Sequence, residues 1–199
     1  MSAIEKRLSK MEIRFDQGEE FIVVDMGSGL LKAGFSGEDL PRVVIPTVVG
    51  ERTIEVDQNA QNQLAGNETK AKKSYKFGNE AFLMQEKDSL HEPIERGVIV
   101  DINSMEHMLR YVFETQMNLD TKNINVLMTD APYNSKQLKQ DIAELLFETF
   151  KVNSFALMNT AVLSLFSTGK TCGLVAECGE GTTYTVPVFE GYALPHAMH

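Results

Sequence analysis

The chain has 199 residues, 28 acidic against 19 basic, with a formal net charge of −9 and a pI near 5.0. With 43% hydrophobic and 24% charged residues it has the proportions of a globular chain, which excludes disorder for the bulk; its length suits one fair-sized domain or one and a half small ones. The acidic balance argues against direct nucleic-acid binding, which needs a basic surface, and no stretch approaches the roughly 20 apolar residues of a membrane span.

In chain order, residues 1–20 place Ile4, Leu8, Met11 and Phe15 at helical spacing, with Lys6, Arg7, Lys10 and Arg14 on other faces. The pattern predicts an amphipathic leader helix, either transiently formed or docking on a partner or membrane surface. Phe21 to Asp25 is a continuous apolar run that ends in an acid and predicts a strand buried on both faces. Leu31–Phe35 and Val43–Ile45, separated by Gly34, Gly37 and Pro41, extend it into an antiparallel meander. From Glu51 to Lys76 large apolar side chains are few, so the stretch predicts a long mobile loop.

Helical periodicity follows. Met105, Met108, Leu109, Val112 and Phe113 mark one helix, with Asn103 and Glu106 spaced as a cap and its reciprocal acid. Leu138, Ile142, Leu145, Leu146 and Phe150 mark a second, opened by Asn134 and Ser135, and Ala161–Ser167 a third, closed by Gly169. Strand-like runs at Val98–Val100, Ile124–Thr129 and Phe155–Met158 alternate with these helices, so the fold class is α/β. Cys172 and Cys178 share one strand-patterned run, where six residues of extended chain hold them roughly 20 Å apart, too far for a mutual disulfide. A cytosolic chain is expected.

Two places have one grammar: apolar strand, acid, then glycine, any residue, glycine, and a second strand. The first is Val23-Val24-Asp25-Met26-Gly27-Ser28-Gly29 and the second Leu174-Val175-Ala176-Glu177-Cys178-Gly179-Glu180-Gly181. Each is followed by Leu-Pro, at Leu40-Pro41 and Leu194-Pro195, as in a duplicated hairpin unit. Glycine lets the backbone turn with positive φ and bring its N–H groups to a phosphate oxygen, and the acid that ends each strand is placed to hold a metal or its waters. One such turn also makes an ordinary hairpin; two copies predict facing jaws around a phosphate chain, with Lys32 supplying a point charge. Ser167-Thr168-Gly169-Lys170-Thr171 imitates a P-loop, but Ser164 stands where the first glycine belongs and a helix precedes it.

These residues resemble a known family. Asp25 to Gly37, with Pro41-Arg42 and Ile45-Pro46, is similar to the first phosphate loop of actin and the actin-related proteins. So are Pro93 to Gly97, Thr129-Asp130-Ala131-Pro132, Leu146 to Phe150, Ala161 to Leu165, and Val186 to Ala197. The resemblance runs in order from about Phe21 to the end. It implies the actin-like ATPase fold, built on ribonuclease-H-like halves: a mixed sheet flanked by helices, an inserted mobile subdomain, and only the start of the second half. The implied boundaries are 1–20 for an N-terminal extension, 21–50 and 77–158 for the first half, 51–76 for the insert and 159–199 for the start of the second half.

By that resemblance Gly27, Ser28, Gly29, Leu30 and Lys32 on one turn and Gly179, Glu180, Gly181 and Thr182 on the other would contact the phosphates of ATP or ADP. Asp25 and Glu177 would organise the waters of Mg2+. The departures imply a degraded cleft. Met26 stands where actin has asparagine. Glu177 replaces an aspartate, and its extra methylene shifts the carboxylate by roughly 1.5 Å. Thr160 aligns with the glutamine that places the attacking water, and Tyr184 with a histidine that orders it. Hydrolysis of this kind depends on positioning, so slow or absent turnover is expected.

The insert lacks the family's usual subunit-contact residues, and family members continue well beyond the position of His199. The chain is thus expected to be a fragment, or a half-molecule that needs a partner over its apolar faces. The leading functional expectation is a cytoskeletal or structural scaffold subunit working with other actin-like subunits or a larger assembly, cytoplasmic and cytoskeleton-associated, with the nucleus also open. The alternatives are a filament-forming actin-type ATPase and, further off, a sugar-kinase-like enzyme of the same superfold.

Overall fold

Alternation of side chains along Phe21–Met26 (β1) buries Ile22 and Val24 on one face and turns Asp25 to the other. The computed structural model describes residues 20–56, 70–84 and 90–199; the leader helix expected over 1–20 lies, but for Glu20, outside them. β1 pairs antiparallel with β2 (Leu30–Phe35), which pairs with β3 (Val43–Pro46), the expected meander. On its other edge β1 runs parallel to β9 (Asn125–Asp130), and β9 parallel to β10 (Ser154–Asn159). The result is a five-stranded mixed sheet in the order β10-β9-β1-β2-β3.

Between β3 and β9 come β4 (Val49–Val56), β5 (Lys70–Phe77), the short α1 (Asn79–Phe82), β6 (Leu90–His91), β7 (Ile94–Glu95) and β8 (Val98–Ile99). The polar stretch read as a mobile loop is therefore paired strand at both ends, with β4 and β5 in register from Val49↔Phe77 to Val56↔Lys70. The reason is that ladder hydrogen bonds use backbone groups and do not need apolar side chains. The root of the hairpin is held by Tyr75 stacked on His107 at 4.1 Å, Phe77 stacked on Tyr111 at 4.7 Å and a Lys73–Glu51 ion pair at 2.7 Å. The middle of the segment, residues 57–69, lies outside the described residues.

The helices cover the sheet with the apolar stripes expected of them. α2 (Ile102–Arg110) continues as a π-helical turn over Tyr111–Gln116, and α3 (Lys136–Glu144) as another over Leu145–Phe150. Met105, Met108, Leu109, Val112 and Phe113 from the first and Ile142, Leu146 and Phe150 from the second close on Val24, Leu31, Val126 and Met128 of the sheet. Ser135 caps α3 as expected, accepting from the Leu138 N–H at 3.1 Å. The cap of α2 is not Asn103. Asp101 accepts from the N–H groups of Asn103 and Ser104 at 3.0 and 3.1 Å, while Glu106 pairs with Arg110 at 2.9 Å. Asp101 wins because its extended backbone and short carboxylate reach two orphan donors at once.

The Ser104 hydroxyl, then the two backbone N–H groups, hold the Asp101 carboxyl below its usual range. A depressed carboxylate contributes stability above its ordinary titration range and loses it as the pH falls through the lowered value. Asp101→Ala should therefore cost about 1 kcal/mol at neutral pH. In urea unfolding, the gap between variant and wild type should close as the solution is taken below the ordinary carboxylate range. A gap that stays constant into acid would remove the charge from this account.

The last elements build a second layer: α4 (Thr160–Phe166), then β11 (Gly173–Cys178), β12 (Thr183–Phe189) and β13 (Tyr192–Ala193) in a three-stranded antiparallel sheet. Ala161, Val162 and Leu165 of α4 pack on Val186 and Val188. Gly169 follows α4 with φ +74°, its N–H bonded to Phe166 O at 2.9 Å, so the P-loop imitation is a helix stop. Cys172 and Cys178 are both free and exposed.

Candidate functional site

The parallel β9-β1 pairing and the packing of α4 on β11-β12 bring the two glycine turns face to face. They line one cleft of about 590 Å³, reached by every residue that the sequence pointed to: Asp25, Gly27, Ser28, Gly29, Leu30 and Lys32 from the first hairpin, Glu177, Gly179, Glu180, Gly181, Thr182 and Tyr184 from the second, and Thr160 at the start of α4. The jaws touch. A Cβ built on Gly29 would lie 2.9 Å from Glu180 Cβ, and one on Gly181 would lie 2.6 Å from Ser28 Oγ. Only glycine permits that approach.

The first turn is held by residues that carried no site role in the sequence. Buried Thr47 donates its hydroxyl to Gly27 O at 2.8 Å and its N–H to Gly29 O at 3.0 Å. Ser28 Oγ accepts from the Gly97 N–H at 2.8 Å, so the β7–β8 turn, where Gly97 has φ +76°, buttresses the jaw. Thr129 accepts from the Met26 N–H and donates to Asp25 Oδ1, both at 3.0 Å. Gly97 and Thr129 sit in stretches already marked by resemblance, though with no role given them; Thr47 carries no local signal, because its partners are distant in sequence.

Each acid faces a donor directly across its hairpin. In the first, Asp25 lies opposite Lys32, and Lys32 Nζ is 3.0 Å from Asp25 Oδ2. In the second, the same register sets Glu177 opposite Tyr184, whose hydroxyl donates to Glu177 Oε2. Ser164 Oγ of α4 donates to Glu177 Oε1 at 2.5 Å. Thr160 Oγ1 lies 2.6 Å from Tyr184 Oη. A phenol has one proton, and here it is directed at Glu177, so Thr160 is the donor in that pair. Burial first, then the hydrogen bond to Glu177, pushes the Tyr184 phenol well above its usual range and keeps it neutral.

The donor set suits a phosphate chain: two glycine turns and a lysine line one cleft. It suits a metal less well. Among the described residues, no three His, Cys, Asp or Glu side chains gather as a metal cage, and both oxygens of Asp25 and of Glu177 already accept protein hydrogen bonds. A family model described as Actin matches residues 17–199 of the chain.

Proposed function

The chain belongs to the actin family, and we propose that it is a divergent member whose cleft holds ATP or ADP and hydrolyses it slowly or not at all, serving as a structural or scaffold subunit. The observation that carries this reading is the bonded chain Thr160–Tyr184–Glu177 at the two positions where the family resemblance implies water-ordering side chains. The Thr160 proton is committed to Tyr184 and the Tyr184 proton to Glu177, so neither hydroxyl has a proton to turn toward a water in the cleft. When bound, Mg-ATP supplies the anhydride to be split and an ion to neutralise its charge. The chain's own residues position: the glycine turns offer backbone N–H groups, and Lys32 offers a charge that must be shared with Asp25 at 3.0 Å. Without a group to orient water, positional catalysis loses several kcal/mol of its effect.

Among the described residues no helix is long and apolar enough to cross a membrane. Leu174, Phe189 and Tyr192 leave apolar surface open on the β11–β13 layer, which supports the assembly reading: association with other actin-like subunits or a larger complex, in the cytoplasm with the cytoskeleton or in the nucleus.

Thermal unfolding with and without Mg-ATP, run beside a phosphate-release assay, tests the proposal. At roughly one hundred times the dissociation constant, binding should stabilise the chain by about 2.7 kcal/mol, with no release above the buffer rate. Steady release accompanied by ATP-dependent pelleting would instead mark a filament-forming ATPase. No thermal shift at any nucleotide concentration would refute the nucleotide reading.

A further inference from the structure

Among the described residues the charged side chains that line the cleft are three acids to one base: Asp25, Glu177 and Glu180 against Lys32. Two of the acids are tied within its walls. Asp25 accepts from Lys32 and Thr129, and Glu177 from Ser164 and Tyr184. Glu180 differs, because among the described residues its carboxylate has no hydrogen-bond or ion-pair partner. It is exposed on the second turn and leans across onto the first, where a Cβ built on Gly29 would lie 2.9 Å from Glu180 Cβ, 3.0 Å from its Cγ and 3.2 Å from its Oε2. An unshared negative charge therefore stands beside the very turn whose N–H groups the nucleotide reading assigns to phosphate. The one lysine does not offset it, being held by Asp25 at 3.0 Å. Two like charges about 4 Å apart repel by an amount equal to about a fivefold change in affinity even when fully screened by water, and by more where walls exclude it.

We propose that the Glu180 carboxylate is a charge selector at the first turn: it weakens the cleft's hold on a phosphate chain in step with the negative charge the chain brings there, so that the cleft favours a nucleoside diphosphate over a triphosphate. The inference rests on the reading of the cleft as a nucleotide site. Calorimetric titration of the whole chain with inorganic tripolyphosphate and with pyrophosphate, a chelator being present to remove divalent ions, tests it. Glu180→Gln keeps the size of the side chain and removes its charge. It should bind tripolyphosphate at least about fivefold more tightly than wild type, with a smaller gain for pyrophosphate. At 1 M salt the screening length falls to about 3 Å, and the gain should largely vanish, a response that a purely steric role for the position does not predict. Glu180→Asp, which keeps the charge, should stay nearer to wild type than Glu180→Gln does. Glu148→Gln removes the same charge from an exposed position outside the cleft and should leave both affinities unchanged.

Equal affinities in wild type and Glu180→Gln overturn the selector while leaving the nucleotide reading in place. So does a gain that persists undiminished at 1 M salt, one that Glu148→Gln reproduces, or one of equal size for the two anions. Binding of neither anion by wild type or by Glu180→Gln is a different failure, which overturns the phosphate reading of the cleft together with the selector.

Discussion

Phe150→Ala should destabilise the chain by about 3 to 5 kcal/mol and lower its thermal midpoint by roughly 6 to 20 °C. Phe150 is 1% exposed at the end of the π-helical turn that closes α3. Its ring meets Phe113 edge-on, with centroids 5.6 Å apart, and the Arg110 guanidinium lies 5.2 Å above it. Alanine removes the transfer free energy of the ring, the aromatic contact and the cation's platform together, and leaves a cavity between two helical segments and the sheet. Whole-domain stability is about 5 to 15 kcal/mol, so this single change is expected to bring the protein near its folding threshold. Urea unfolding measures it, with a lowered midpoint at unchanged slope. Leu40→Ala, at 78% exposure, is the comparison and should stay within about 0.5 kcal/mol. A Phe150→Ala midpoint as close to wild type as that would mean the two helices do not share one core.

Gly181→Ala should abolish the nucleotide-dependent stabilisation, about 2.7 kcal/mol at a hundredfold ligand excess, while the chain remains folded. The new Cβ would lie 2.6 Å from Ser28 Oγ and 2.9 Å from Arg96 Cα, and the second of these is backbone that cannot rotate away. Ser28 cannot withdraw freely either, because its oxygen holds the Gly97 N–H. The jaws must part, and the overpacking itself should cost about 1 to 3 kcal/mol. Gly169→Ala separates the two effects. Gly169 has φ +74° and nothing near its would-be Cβ, so alanine there strains the backbone without touching the cleft and should keep the full thermal shift with Mg-ATP. A full shift retained by Gly181→Ala would remove the touching turns from the binding account.

Much of the fold was legible because the signals were local. The apolar run before Asp25, the glycine turn after it, the helical stripes ending at Phe113 and Phe150 and the repeat at Glu177 each lie within a few residues of sequence. The errors were local signals that lost to a competitor. Asn103 was spaced as a cap, but the helix begins before it, and Asp101, two residues earlier, accepts from the N–H groups of Asn103 itself and of Ser104. The polar ends of the insert looked unable to fold, but their backbones pair and Tyr75 and Phe77 stack on α2 and the turn that extends it. Thr47 was silent, and the roles of Gly97 and Thr129 were hidden even though their stretches were marked, because what the three hold lies 20, 69 and 104 residues away.

The amino-acid order by itself determined two strands that each end in an acid and a glycine turn, since apolar runs and permissive glycines act on their own neighbourhood. Only the tertiary structure decided what each acid meets. Strand register set Lys32 against Asp25 and Tyr184 against Glu177, and the packing of α4 delivered Ser164 and Thr160 to the second pair. A carboxylate's chemistry depends on the donors that surround it, and here those donors arrive from elements that meet only when the core closes.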